Sequence, residues 1–132
     1  ASMVELGMKW TVKAKYDDVL ARVPELLKGE GFGVLTRIDM KATMKEKLGV
    51  DFRRYQILGA CNPSFAHRAL GLDLGAGVML PCNVLVYEAD DGSTVVTAVD
   101  PMQTLAAHDP RFVPLIAEVR EKLSRALSGL KG

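Results

Sequence analysis

A chain of 132 residues with 48% hydrophobic and 25% charged side chains has enough apolar material for its own core, which excludes disordered, fibrous and low-complexity classes. Its 17 Lys plus Arg against 16 Asp plus Glu leave a formal net charge of +1, too little for a global field that would hold nucleic acid. No apolar run approaches the roughly 20 residues that cross a bilayer, and Ala1 to Trp10 lacks a basic segment followed by an apolar one, so a cytoplasmic protein without a membrane partner is expected. Met3 is the expected native start, with Ala1-Ser2 set aside. The two cysteines, in a chain with its own core and a reducing compartment, are expected as thiols.

In chain order, Met8, Trp10, Val12 and Ala14 alternate with Lys9, Thr11, Lys13 and Lys15, the period-2 pattern of a strand with one buried and one wet face. Asp17 or Asp18 then offers an N-cap, and Val19, Leu20, Val23, Leu26 and Leu27 follow at helical spacing up to Gly31. Pro24 removes a backbone donor and crowds the preceding turn, which predicts a kink or a helix that begins near it. Gly31-Phe32-Gly33 has the glycine content of a phosphate loop, but it follows a helix and opens a strand, the reverse of that motif's order, so it reads as a helix C-cap.

Val34, Leu35 and Ile38 predict a second strand ending at Asp39. Met40, Met44 and Leu48 recur every four residues, Thr43 and Glu46 suit a capping box and Gly49 a closing turn, together a short amphipathic helix. Phe52 to Cys61 reads as the third strand, with Tyr55, Ile57, Gly59 and Cys61 on one face and Gln56, Leu58 and Ala60 on the other. The small residues near its end leave room for a group to approach the backbone. Asn62 as N-cap and Pro63 as first helical residue start a helix that runs to Gly71.

Gly71, Gly75 and Gly77 predict a flexible turn, Val78 to Glu88 a long apolar strand broken at Pro81, and Asp90-Asp91-Gly92 a hairpin turn into Thr94 to Val99. Asp109-Pro110 is a second cap-plus-proline start, with Pro114 pushing the regular helix toward Val113. From there Ile116, Val119, Leu123, Ala126 and Leu127 line one face, ending at Gly129. No repeat or linker divides the chain, so residues 1–132 are expected to form one domain.

Gly31 to Thr36, Ile38-Asp39, Lys47 to Val50, Tyr55, Ile57 to Pro63, Ala69-Leu70 and Leu80 to Val84 resemble the bacterial and archaeal family catalogued as domain of unknown function 302. The likeness spans nearly the whole chain, and its most specific parts are the two Cys-Asn segments. It implies an α+β domain with an antiparallel sheet of about five strands and helices packed on one face. The implied topology is β-α-β-β-β-β-α-like, similar to the TATA-binding-protein group, and the implied assembly is a homodimer. It implies no activity, catalytic residue or cofactor, and the likeness to a DNA-binding fold concerns topology alone.

Chemistry concentrates at Cys61-Asn62 and Cys82-Asn83. If their strands are antiparallel neighbours the thiols approach each other, and a helix N-terminus just after Cys61 favours a thiolate nearby. The competing reading makes both cysteines small buried hydrophobes. His67, one turn into the same helix, is a candidate base or third soft-metal ligand, against an exposed surface histidine, and His108 reads as a loop residue.

Asn62 suits a cap, whereas Asn83 on a strand needs a polar partner and points to a pocket. Lys41, Lys45, Lys47, Arg53 and Arg54 form a basic cluster interleaved with Asp39, Glu46 and Asp51, which reads as a solvated face. Met40, Met44, Met79 and Met102 read as core filler. With no catalytic motif, the sequence favours a non-enzymatic module that binds or senses a small ligand around Cys61, Asn62, Cys82 and Asn83. The alternatives are thiol redox, sulfur handling or soft-metal binding by Cys61, Cys82 and His67, and an interaction protein that dimerises through an uncovered sheet face.

Overall fold

The computed structural model describes residues 5–104 and 109–130. Expectations for Met3 and His108 lie outside them. Strands β1 (Met8–Val12), β2 (Gly33–Asp39), β3 (Tyr55–Cys61), β4 (Cys82–Glu88) and β5 (Thr94–Ala98) form one sheet in the order β1-β5-β4-β3-β2, with every neighbouring pair antiparallel. Helices α1 (Tyr16–Lys28), α2 (Met40–Leu48) and α3 (Pro63–Leu72) follow β1, β2 and β3, and α4 (Val113–Leu127) follows the β4–β5 hairpin, giving the expected α+β class.

Period-2 alternation sorts the sheet into two faces. Leu58 and Ala60 of β3, Val84 and Val86 of β4, and Val96 and Ala98 of β5 point to one side, where each is fully buried. The apolar stripes of α1 (Val19, Val23, Leu27) and α4 (Ile116, Leu123, Leu127) join them in a single core, together with Phe65 and Ala69 of α3. On the other face Tyr55 stacks on Tyr87 with ring centroids 5.3 Å apart.

Helix α1 begins at Tyr16 with Lys15 at its N-cap, so Asp17 and Asp18 occupy the first turn instead of capping it; there their charges still meet the positive end of the helix. The helix runs on through Pro24. An interior proline costs about 3 kcal/mol, while burying Val19, Val23 and Leu27 contributes about 1.5–3 kcal/mol each, so tertiary packing outweighs the break that local propensity predicts. Its end is a complete Schellman turn: Phe32 N–H donates to Leu27 O and Gly31 N–H to Lys28 O, with Gly31 at φ +87° and the Phe32 and Leu27 side chains both buried.

Helix α2 buries none of its residues, leaving Leu48 exposed, and Asp39, not Thr43, caps it by accepting from Ala42 N–H; Thr43 Oγ1 donates to Asp39 O. β3 starts at Tyr55 and β4 at Cys82, each later than its apolar run suggests. The glycine-rich stretch is an ordered 3-10 turn, Leu74–Met79, capped by Asp73, whose side chain accepts from Gly75 N–H. Met79 and Met102 are exposed instead of filling the core.

The hairpin after β4 turns at Gly92, φ +85°, with Asp91 accepting from the Ser93 N–H and hydroxyl. A 3-10 turn at Pro110–Phe112, capped by Asp109, precedes α4, which begins at Val113 as Pro114 dictates. The basic cluster is balanced: Lys45 pairs with Asp51, Lys47 with Glu46, Arg53 with Asp90, and Arg54 with Glu88 and Asp17. Lys41 donates to Phe52 O.

Because Leu27 is both a core residue and the acceptor end of the Schellman turn, Leu27→Ala is expected to lower stability by about 2–5 kcal/mol. Urea unfolding should show a lower midpoint at unchanged slope; an unchanged midpoint would contradict the packing described.

Candidate functional site

The ends of β3 and β4 place the two thiols. In their antiparallel register Ala60 lies opposite Cys82 and Gly59 opposite Asn83, so Cys82 shares the core face with Ala60 and Val84, and Cys61 is one residue beyond at the strand end. Gly59 makes this approach possible. A Cβ there would collide with Thr36 Oγ1 and lie 2.8 Å from Pro81 Cγ. The room left by small residues near the end of β3 is therefore taken up by the chain itself, by the proline that leads into Cys82.

Both cysteines line one pocket with a cavity volume of about 60 Å³. Ala60, Phe65 and Ala69 form its floor and α3 wall, and Leu115, Ile116 and Val119 of α4 close the far side. Met79, Leu80, Pro101 and Thr104 come from the segments flanking β4 and β5. The lining is almost wholly apolar, so a group inside meets little water.

Asn62 stands at the N-cap position of α3 but does not cap it: its Nδ2 donates to Glu30 O at 3.3 Å, one of the carbonyls left over at the end of α1. A Cβ at Gly31 would lie 2.9 Å from that nitrogen. The amide thus ties the start of α3 to the end of α1, while Pro63, having no N–H, needs no cap partner. Nearby, Arg125 Nη2 reaches Glu30 Oε1 at 3.0 Å, and this guanidinium holds the Glu30 carboxyl below the usual carboxylate range. Arg120 Nε donates to Asp100 Oδ2 at 3.0 Å, and Asp100 Oδ1 accepts from Met102 N–H, anchoring the turn that carries Pro101 to the pocket.

The structure separates residues that the sequence groups. Asn83, exposed, projects from the opposite face of the sheet into a groove with Leu85 and Thr97, because one step along a strand reverses the side-chain direction. His67 is exposed and lines no part of the pocket: on α3 Phe65 and Ala69 face inward at i and i+4, which turns the residue midway between them to the outside. Among the described residues, no three His, Cys, Asp or Glu side chains come together to hold a metal ion. Met79 and the three α4 residues escape sequence reasoning. Their membership depends on which helix crosses the sheet end, a long-range fact without a local signature.

Burial, with a smaller contribution from neighbouring Cys61, pushes the Cys82 thiol up to about 11. At neutral pH it is an S–H group. Both cysteines are free.

Residues 8–130 match the family model described as "Domain of unknown function DUF302". The fold is also similar to a crystal structure of an uncharacterized conserved protein DUF302 from Bacillus stearothermophilus, at 31% sequence identity and a TM-score of 0.85, over 95% of this chain and 98% of that one. No curated protein matches the chain.

A thiol whose pKa is raised on folding stays neutral while the unfolded chain releases its proton. Stability is therefore expected to fall as pH rises from the ordinary 9.0 toward about 11. Chemical denaturation across that range should show the decline in the wild type and a shallower one in Cys82→Ala. Equal slopes would refute the assignment.

Proposed function

The chain belongs to the family of domain of unknown function DUF302, a description that names no reaction, and from its pocket we propose that it is a non-enzymatic module that binds a small, largely apolar ligand. The supporting observation is the pocket's composition: apolar walls from β3, α3 and α4 around two thiols, the Asn62 amide and the Thr104 hydroxyl. Binding sites of this kind take their affinity from apolar enclosure and their orientation from a few polar groups. Asn62 Nδ2 is engaged by Glu30, which leaves its Oδ1 as the acceptor for a ligand donor, and the Cys82 S–H is a weak donor.

The cavity, about 60 Å³, is equivalent to roughly two waters of about 30 Å³ each, so only a small body enters without movement of the wall. The 3-10 turn Leu74–Met79, with Leu74 and Val78 exposed to solvent, is the segment we assign to that movement. No helix among the described residues is long and apolar enough to cross a membrane. We place the protein in the cytoplasm, where free thiols persist.

Xenon, benzene and 1-propanethiol serve as probes in a thermal-shift assay. At least one is expected to raise the melting temperature of the wild type, and Ala66→Leu, which fills the pocket from α3, should abolish the shift. No shift with any probe, or the same shift in the variant, rejects the reading.

For the open sheet face we propose a second copy of this chain as the partner. That face carries the Tyr55–Tyr87 stack beside Ile57 and Leu85, and the adjoining edge strand β2 leaves Leu35 and Ile38 exposed. An unpaired edge next to an apolar face is suited to self-association. Light scattering is expected to give twice the chain mass for the wild type and a reduced mass for Leu85→Lys. A monomer at high concentration contradicts the proposal.

A further inference from the structure

Of the described residues that line the Cys61–Cys82 pocket, three carry sulfur: Cys61, Cys82 and Met79. Among these described residues none carries a carboxylate or an imidazole, and only Asn62 and Thr104 offer side-chain oxygen or nitrogen. We propose that this pocket holds one soft monovalent metal ion, Cu(I) in class, between the thiolates of Cys61 and Cys82 and the thioether of Met79. The proposal rests on the reading of this pocket as a binding site and assigns it a second class of ligand, a metal ion instead of an apolar molecule.

Donor chemistry decides among metals. Calcium and magnesium require several oxygens, more than the described lining offers, and zinc takes four nitrogen, sulfur or carboxylate ligands in a closed site. Thiolate and thioether donors select Cu(I), which is content with few of them. The His67 imidazole, the third ligand that the sequence suggests, is outside the pocket, and Met79, three residues before Cys82, supplies the third donor in its stead. Leu80 and Pro81, between those two sulfur residues, run directly into β4, so the same register that sets Cys82 opposite Ala60 also fixes where Met79 enters.

The step balances without redox chemistry. One Cu(I) replaces two S–H protons, forming two Cu–S bonds and releasing two H⁺, and the bis-thiolate complex carries a net charge of −1. That charge sits where Cys61 leads into α3, whose N-terminus at Pro63 presents unpaired backbone N–H groups and the positive end of the helix dipole. Met79 lines the pocket and is 37% exposed, so its thioether is open to an incoming ion.

Anaerobic titration with Cu(I) buffered by bathocuproine disulfonate tests the site. The wild type is expected to withdraw one Cu(I) per chain from the chelator, release two protons and gain near-ultraviolet thiolate-to-metal absorbance. Cys61→Ser and Cys82→Ser should each lose the ion. Met79→Leu, a volume-conserving change at a partly exposed position that leaves the fold intact, should weaken binding about tenfold or more, and His67→Ala should leave it unchanged. No withdrawal from the chelator overturns the proposal, as does loss on His67→Ala or an unaltered affinity in Met79→Leu. Stabilisation by xenon, benzene or 1-propanethiol without Cu(I) binding would remove the metal and keep the pocket as a binding site; absence of both would remove both.

Discussion

The antiparallel pairing of β3 with β4 is the constraint on which the rest depends. With Ala60 opposite Cys82 and Leu58 opposite Val84, small and branched side chains meet on the helix-covered face. A slip of one residue would bring Asn83 into the core and Cys82 out of it, exchanging a buried apolar side chain for an amide without a partner. Burying such an amide costs a few kcal/mol, whereas burying Val84 contributes about 1.5–3 kcal/mol, so the register is strongly specified. The site is a by-product of this choice, since the pairing that fills the core also delivers a thiol to its rim.

The remaining walls come from helix ends. The Schellman turn closing α1 positions Glu30 to present its carbonyl to Asn62, and that one hydrogen bond holds the start of α3 beside the end of α1. Gly31 serves both purposes: its φ of +87° suits the turn, and its missing side chain leaves space for the amide. α4 then closes the pocket with Leu115, Ile116 and Val119. The ion pairs around these ends, such as Arg125 with Glu30, are solvent-screened and contribute little, so packing sets the shape of the pocket and charge refines it.

The contrast between the two sides of β4 bears on function. Cys82 and Asn83 are neighbours in sequence and lie on opposite sides of the sheet, one facing a narrow apolar pocket and the other an open groove. A Cys-Asn pair read as one motif therefore contributes to two different surfaces. The first Cys-Asn segment behaves otherwise: Cys61 and Asn62 fall where the strand ends and the alternation lapses, and both reach the same pocket.

Much of this architecture was legible from local pattern. The alternation from Met8 to Val12, the glycine after α1, the Asp-Asp-Gly hairpin and the start of α4 at Val113 each follow from backbone chemistry acting over a few residues, as does the presence of a thiol at a strand end before a helix. What tertiary structure decided were matters of partnership. Pro24 stays within a helix because the core holds its neighbours, and Asn62 bonds to Glu30 instead of its own helix because α1 happens to end there. Met79 joins the thiols while His67 faces away, because the outcome depends on which residues distant in sequence are brought alongside. Local propensity is a property of short stretches of chain, but a site is made where several of them meet, and that meeting is set by burial summed over the whole molecule.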